Sequence, residues 1–214
     1  MRRELESGLV LCSTAAEHAE ALEELQEIVF PTLSADERFR AEHYLKHIEL
    51  FPEGQFVVLD GERVVGMTST LRLDFDLEHA NHTFAEVIEG GYLTSHDPTG
   101  RWLYGADMGT HPDYRRRGIA RALYAARQEV VRALGLAGQV TVGMLSGYGA
   151  RSGELSLREY YERVASGEIS DPTVSTQRRM GFEPRGLVED YLDDPVCGNG
   201  GALLVLDAGV DLTL

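Results

Sequence analysis

One stretch, RWLYGADMGTHPDYRRRGIARAL from Arg101 to Leu123, constrains this chain more than any other. Its first ten residues read as a strand. Its last residues open a helix in which Ile119, Leu123, Ala126, Val130 and Leu134 fall at i, i+4, i+7, i+11 and i+15, the spacing of one buried face, and Gly135 stops it. Between them lies a turn with three consecutive arginines, Arg115, Arg116 and Arg117. A strand delivered straight into a helix through such a turn leaves backbone N–H groups free at the positive end of the helix dipole, which makes an anion site. Gly118 lets a bulky anion approach the main chain, Ala120 keeps the second position small, and the arginines add planar donors. The segment is neither a P-loop nor a dinucleotide fingerprint, because both glycine patterns are absent.

The arginine run stands out against a chain with 35 acidic and 20 basic residues and a formal net charge of -15. That balance argues against a nucleic-acid partner, whose phosphates are bound through Lys and Arg, and weakly favours a cationic substrate. Lys46 is the sole lysine, which reads as a composition bias. The 214 residues are enough for a sizeable core, and no linker, low-complexity tract or repeat divides them, so residues 1–214 are expected to form one domain. The opening arginines are followed by Glu4 and Glu6 and a very short apolar run, unlike a signal peptide. No segment approaches the roughly 20 apolar residues of a membrane span. A soluble, cytoplasmic protein with no membrane partner is the expectation. Cys12 and Cys197 suit neither a disulfide framework nor a zinc site.

Elsewhere the order of elements is readable. GLVLCS predicts a first strand. Thr14 to Glu17 has the Ser/Thr-x-x-Glu form that starts a helix, with Leu22, Leu25 and Val29 on its apolar stripe and Pro31 ending it. Ser34 to Glu37 repeats that signature and predicts a second helix carrying Phe39, Tyr44 and Ile48. QFVVLD and RVVGMTSTLRL are strands joined at Asp60-Gly61-Glu62, a hairpin turn. Residues 74–100 are irregular except for a helical piece at Thr83 to Ile88, and a stretch of that length usually serves function. VTVGML predicts a buried strand, SLREYYERVA a helix capped by Ser156, DPTVSTQRRM a shorter helix ending at Gly181, and GFEPRGLVEDYL and GALLVLD the last strands. This is an α/β or α+β pattern with helices on both faces of a sheet.

Arg115-Arg116-Arg117-Gly118-Ile119-Ala120 matches R/Q-x-x-G-x-G/A, and MGTHPDYRRRGIARALY resembles the wider acyl-CoA motif of the GNAT superfamily of N-acetyltransferases. In element order the resemblance covers Gln55 to Leu206, and more loosely the first strand and two helices. It implies a mixed, mostly antiparallel central sheet of six or seven strands. It implies acetyl-CoA as cosubstrate, with no metal. The main chain of Met108, Gly109 and Thr110 is expected to pair with the pantetheine arm like an added strand. The amides of Arg116, Arg117, Gly118, Ile119, Ala120 and Arg121 are expected to cradle the pyrophosphate, with Arg115 at the first position of the motif. The strand bearing Thr110 and the VTVGML strand should splay apart to admit the cofactor. Direct attack by the acceptor amine in a ternary complex would follow, the amine being a small molecule or part of a peptide.

Attack needs a deprotonated amine and a donor for the thioester oxyanion, the latter expected from a backbone N–H of the cofactor strand. Asp107, on that strand, is a candidate base; an acid paired with an arginine is the competing reading of it. In many GNAT members a tyrosine lies four residues before the Gly-Phe that opens the sixth strand, and QRRMGF places Gln177 there. Either the thiolate leaves unaided or another tyrosine serves, and Tyr148 in the loop after VTVGML is a candidate, though a turn aromatic fits it as well. Gln177 also motivates the alternative of a non-catalytic acyl-CoA sensor. His43 with His47 and His79 with His82 have helical spacings, but with no third ligand they read as solvated helix residues rather than metal sites. His79, His82, Tyr92, His96 and Asp97 belong to the 74–100 insertion, which could cover the acceptor pocket; a contact with a second copy in a homodimer fits them equally.

Overall fold

The structure, a computed structural model, describes residues 1–78 and 80–213. His79 lies outside them, so its spacing to His82 has no structural counterpart here. Eight strands form one sheet among the described residues: β1 (Arg2–Glu4), β2 (Val10–Ser13), β3 (Phe56–Asp60), β4 (Arg63–Leu73), β5 (Trp102–Thr110), β6 (Gly138–Met144), β7 (Glu183–Val188) and β8 (Gly201–Asp207). Their spatial order is β1-β2-β3-β4-β5-β6-β8-β7. Neighbours run antiparallel except β5 and β6, which are parallel. The expected six or seven strands become eight because exposed Arg2–Glu4 adds an edge strand to β2 through backbone pairing, a signal that its charged side chains do not carry.

Among the described residues six α-helices accompany the sheet: α1 (Ala19–Val29), α2 (Ala41–Leu50), α3 (Phe84–Ile88), α4 (Ile119–Leu134), α5 (Leu157–Ser166) and α6 (Val174–Arg179). Helix α4 buries Ile119, Leu123, Ala126 and Val130 against Leu11, Phe56, Val58 and Leu103 on one face. On the opposite face, α1 and α2 bring Leu22, Leu25 and Tyr44 to Val57, Met67 and Leu71. Leu134 departs from the expected stripe: it is exposed in the last turn, and Val131 and Leu136 fill the core instead.

Both predicted N-terminal capping signatures are displaced. Ala15, not Thr14, precedes the first turn, and its N–H donates to His18 Nδ1 at 3.0 Å. The second helix begins at Ala41 instead of Ser34; there Arg40 N–H donates to His43 Nδ1 at 3.0 Å. Glu37 is drawn elsewhere, its Oε2 accepting Asp193 N–H at 2.7 Å, while Ser34 N–H donates to Asp193 O at 2.9 Å. Residues 34–40 are therefore pinned across to the loop before β8. The cap at Ser156 occurs as read, and Thr83 adds another that the sequence reading did not name, each hydroxyl accepting the N–H of a glutamate three residues on.

His43 and His47 are buried, contrary to the expectation of solvated residues, and form much of the inward face of α2. His47 Nε2 donates to Gly91 O at 2.7 Å, which ties the 74–100 insertion to α2. The insertion also ties to β4, with His96 Nδ1 accepting Arg72 N–H at 3.0 Å.

Candidate functional site

Strands β5 and β6 pair over four positions, from Trp102 with Gly138 to Gly105 with Thr141, and then part. A β-bulge marks the parting: Ser69 of β4 faces Asp107 while Thr70 faces Gly105, leaving Ala106 as the extra residue. Bulges bend and twist the strand that carries them. Met108, Gly109 and Thr110 therefore continue along β4 with no β6 partner beside them. The parting opens a cleft of ≈ 830 Å³.

The arginine turn forms one end of that cleft. Its backbone is left-handed at Arg116 (φ 64°) and at Gly118 (φ 81°), the latter immediately before α4. No side chain caps α4, and helix geometry gives Ile119, Ala120 and Arg121 N–H no intrahelical carbonyl. The donors point at an opening. A Cβ built on Gly118 meets nothing within 4 Å, so its glycine is required by φ and leaves the backbone accessible. Arg115, Arg116, Gly118, Ile119, Ala120 and Arg121 all line the cleft, as do Met108 and Thr110. Arg117 does not; it stacks over the Tyr114 ring, 4.9 Å from its centroid. Gly109 packs against Met67 and Val29 instead.

Asp107 sits where the cleft meets the α1/α2 face. Its Oδ1 accepts Ser69 N–H at 2.5 Å; its Oδ2 accepts Gln26 Nε2–H at 2.7 Å and the Tyr44 hydroxyl at 3.2 Å. Burial pushes its carboxyl up to about 6, and the Ser69 amide, the Arg127 charge and Tyr44 keep it from rising further. The competing reading, an ion pair with an arginine, has no counterpart in its hydrogen bonds. Its partners are neutral and come from two helices and the neighbouring strand.

Tyr148 is placed away from the cleft, edge-on to Tyr160 with ring centroids 5.6 Å apart. Gln177, in the slot where a tyrosine is usual, donates its Nε2–H to the Tyr124 hydroxyl at 2.8 Å, and both line the cleft. Tyr124 reaches the site from α4, and burial pushes its phenol up. The sequence reading missed Tyr124, Gln26, Tyr44 and also Arg127, which lies under the floor of the cleft. Arg127 did carry a signal: it is four residues after Leu123 and eight after Ile119, a charge on an apolar face.

The far wall of the cleft is built from Thr32, Leu33, Glu37, Phe84, Tyr191 and Asp194. Within the insertion only Phe84 reaches it among the described residues. No group of three or more potential metal ligands occurs among the described residues, and no helix there is long and apolar enough to cross a membrane.

A free amide cradle at one end of a parted sheet and a buried carboxylate at the other suit an extended anionic ligand with a reactive tip. A sequence model of the Acetyltransferase (GNAT) family matches residues 19–145. The uncharacterized N-acetyltransferase YkwB of Bacillus subtilis (strain 168) is 32% identical over 186 residues, covering 86% of this chain and 82% of that protein. The probable hydrolase YhcX of the same organism is 33% identical over 189 residues, 88% of this chain; the chain spans only 36% of its length. Among solved structures, the GphF GNAT-like decarboxylase in complex with isobutyryl-CoA superposes with a TM-score of 0.73 at 20% identity, over 92% of this chain and 98% of that one. The putative acetyltransferase yncA of Salmonella typhimurium, solved with acetyl-CoA, gives 0.56 at 13% identity, over 95% of each chain. At such identities the two structures speak for the fold, which agrees with the sequence matches: the chain belongs to the GNAT family of acetyltransferases.

Proposed function

We propose that residues 1–214 act as one acetyltransferase domain that moves an acetyl group from acetyl-CoA to an amine by direct attack in a ternary complex. The observation that carries this reading is the uncapped start of α4 opening into the β5/β6 parting. The amides of Arg116 to Arg121 would hold the pyrophosphate, aided by Arg115, because a helix N-terminus favours anions. Open space at Gly118 leaves that backbone free to be approached, so the residues present fit the ligand. Bound there, acetyl-CoA supplies an activated thioester. The free edge of β5 at Met108 and Thr110 would take the pantetheine as an added strand.

Asp107 serves as base, through water or directly. A carboxyl near 6 is mostly ionised at pH 7 and still basic enough to accept a proton. Tyr124, steadied by Gln177, is better placed than Tyr148 to protonate the departing thiolate. A raised phenol keeps its proton at neutral pH, as an acid must. The acceptor is a small-molecule or peptide amine entering between Glu37, Phe84 and Tyr191.

Titration calorimetry with acetyl-CoA tests the donor half; no heat at hundreds of micromolar ligand would overturn the proposal. A panel of amines with detection of released CoA tests the acceptor half. Binding without turnover of any amine would favour a sensor over an enzyme.

A further inference from the structure

Arg127 is the largest fully buried side chain of the protein, 1% exposed, and forms no salt bridge among the described residues. A buried cation that touches no carboxylate is costly, even with the Asp107 charge nearby, and replacement by an apolar residue of similar volume is often neutral or stabilising. Its presence therefore calls for a function. Its Nη2 donates to the Asp107 backbone carbonyl and to the Thr68 hydroxyl, which itself donates to the same carbonyl at 2.8 Å. The guanidinium also lies 5.3 Å from the Tyr124 ring centroid. It presses so closely under β5 that a Cβ at Gly105 would collide with Nη1.

The carbonyl it holds belongs to the peptide that ends in the Met108 N–H. In β4 and β5 the bond from His111 N–H to Val65 O fixes the alternation, so Asp107, Gly109 and His111 direct their main-chain groups at β4. Met108 directs its own away, toward the side where β6 has parted. A trans peptide is planar, with its C=O and N–H pointing in opposite directions. Two donors on the Asp107 oxygen, one of them cationic, draw electron density from the peptide and make its N–H a stronger donor.

We infer that Arg127 is a positioning residue that polarises the Asp107–Met108 peptide from beneath, so that Met108 N–H stabilises the negative charge on an acyl thioester oxygen in the cleft. This rests on the acyl-CoA reading of the cleft given above. As the amine nitrogen bonds to the acyl carbon, the carbonyl π pair moves to oxygen; when the C–S bond breaks, that pair returns and the thiolate leaves. Arg127 transfers no proton in either step. Its charge is preorganised at the place where the oxygen turns negative.

The test compares wild type with Arg127→Lys, which keeps a charge, Arg127→Gln, which keeps only a neutral donor, and Arg127→Met, which keeps neither. The first readout needs no ligand: the Met108 amide proton resonance should move upfield in Arg127→Gln relative to wild type and less in Arg127→Lys. The second is the infrared carbonyl stretch of bound carbonyl-labelled acetyl-CoA, expected at lower frequency than in solution for wild type and Arg127→Lys. That shift should shrink in the Gln and Met variants, with acetyl-CoA affinity held within about twofold and kcat lowered by about tenfold or more with an accepted amine. A folded Arg127→Gln protein that matches wild type in both spectra would overturn the inference. If Met does not fold, the Lys and Gln pair decides it by the same criterion. Failure of wild type to bind acetyl-CoA at all would instead remove the acyl-CoA reading on which the role depends.

Discussion

Asp107 illustrates how one residue's chemistry is set by distant parts of the chain. Its position in a central strand was enough to mark it, yet its donors Gln26 and Tyr44 lie 81 and 63 residues away, beyond the reach of any local pattern. A carboxyl raised to about 6 from an unfolded value near 3.8 binds protons more tightly in the folded state. Stability from this group is therefore highest at low pH and declines as pH rises through that interval. Relative to Asp107→Asn, the wild type should lose on the order of 2 kcal/mol between pH 4 and pH 7, read by urea unfolding at several pH values. As base, it should also give the rate an acid limb near pH 6 that disappears in Asp107→Asn. A rate profile of unchanged shape would exclude that role. At the turn, Gly118→Asp combines a positive φ with a carboxylate where the pyrophosphate is proposed to sit; it should weaken acetyl-CoA binding at least about 100-fold in calorimetry, with circular dichroism preserved.

Elements with a strong period were legible, and their boundaries were legible where side chains themselves capped them. Helix α4 with its glycine stop, the hairpin at Gly61 and the cap at Ser156 follow from local chemistry. The start of α2 did not, because Glu37 satisfies the Asp193 amide instead of its own helix. Nor did the packing of the insertion, which depends on His47. Burial holds that imidazole down to about 4, since charging it would leave a cation in the core. With a folded value below the unfolded 6.5, its contribution is present above pH 6.5 and is lost as pH falls toward 4. Hydrogen exchange in residues 84–96 should accelerate at pH 5 relative to pH 7 after correction for intrinsic rates. In His47→Gln, which retains a donor for Gly91 O, that acid sensitivity should shrink, the remainder coming from the partly buried His43, His82 and His96.

At the scale of the whole molecule, the Arg115 to Ala120 motif between its strand and its helix was enough to name the family, while the cleft depends on where a pairing stops. No residue type encodes the end of the β5/β6 ladder at Gly105 and Thr141; it arises from the bulge at Ala106 and from Arg127 under Gly105. The same seam divides the chain into two contiguous pieces. Everything through α4 owns one lip of the wedge, everything from β6 owns the other, and the exposed Gly135 joins them. Beyond four strand pairs, the pieces are held by backbone bonds such as Ser34 N–H to Asp193 O, by side-chain bonds such as Gln139 to Gln128 and Gln177 to Tyr124, and by a shared apolar cluster. A chain severed at Gly135 would thus be a two-part lock in which a molecule lodged in the wedge acts as glue. Fused to the halves of a split reporter, fragments 1–134 and 136–214 should reassemble more readily with acetyl-CoA present, turning a gap in a sheet into a sensor of the ligand that fills it.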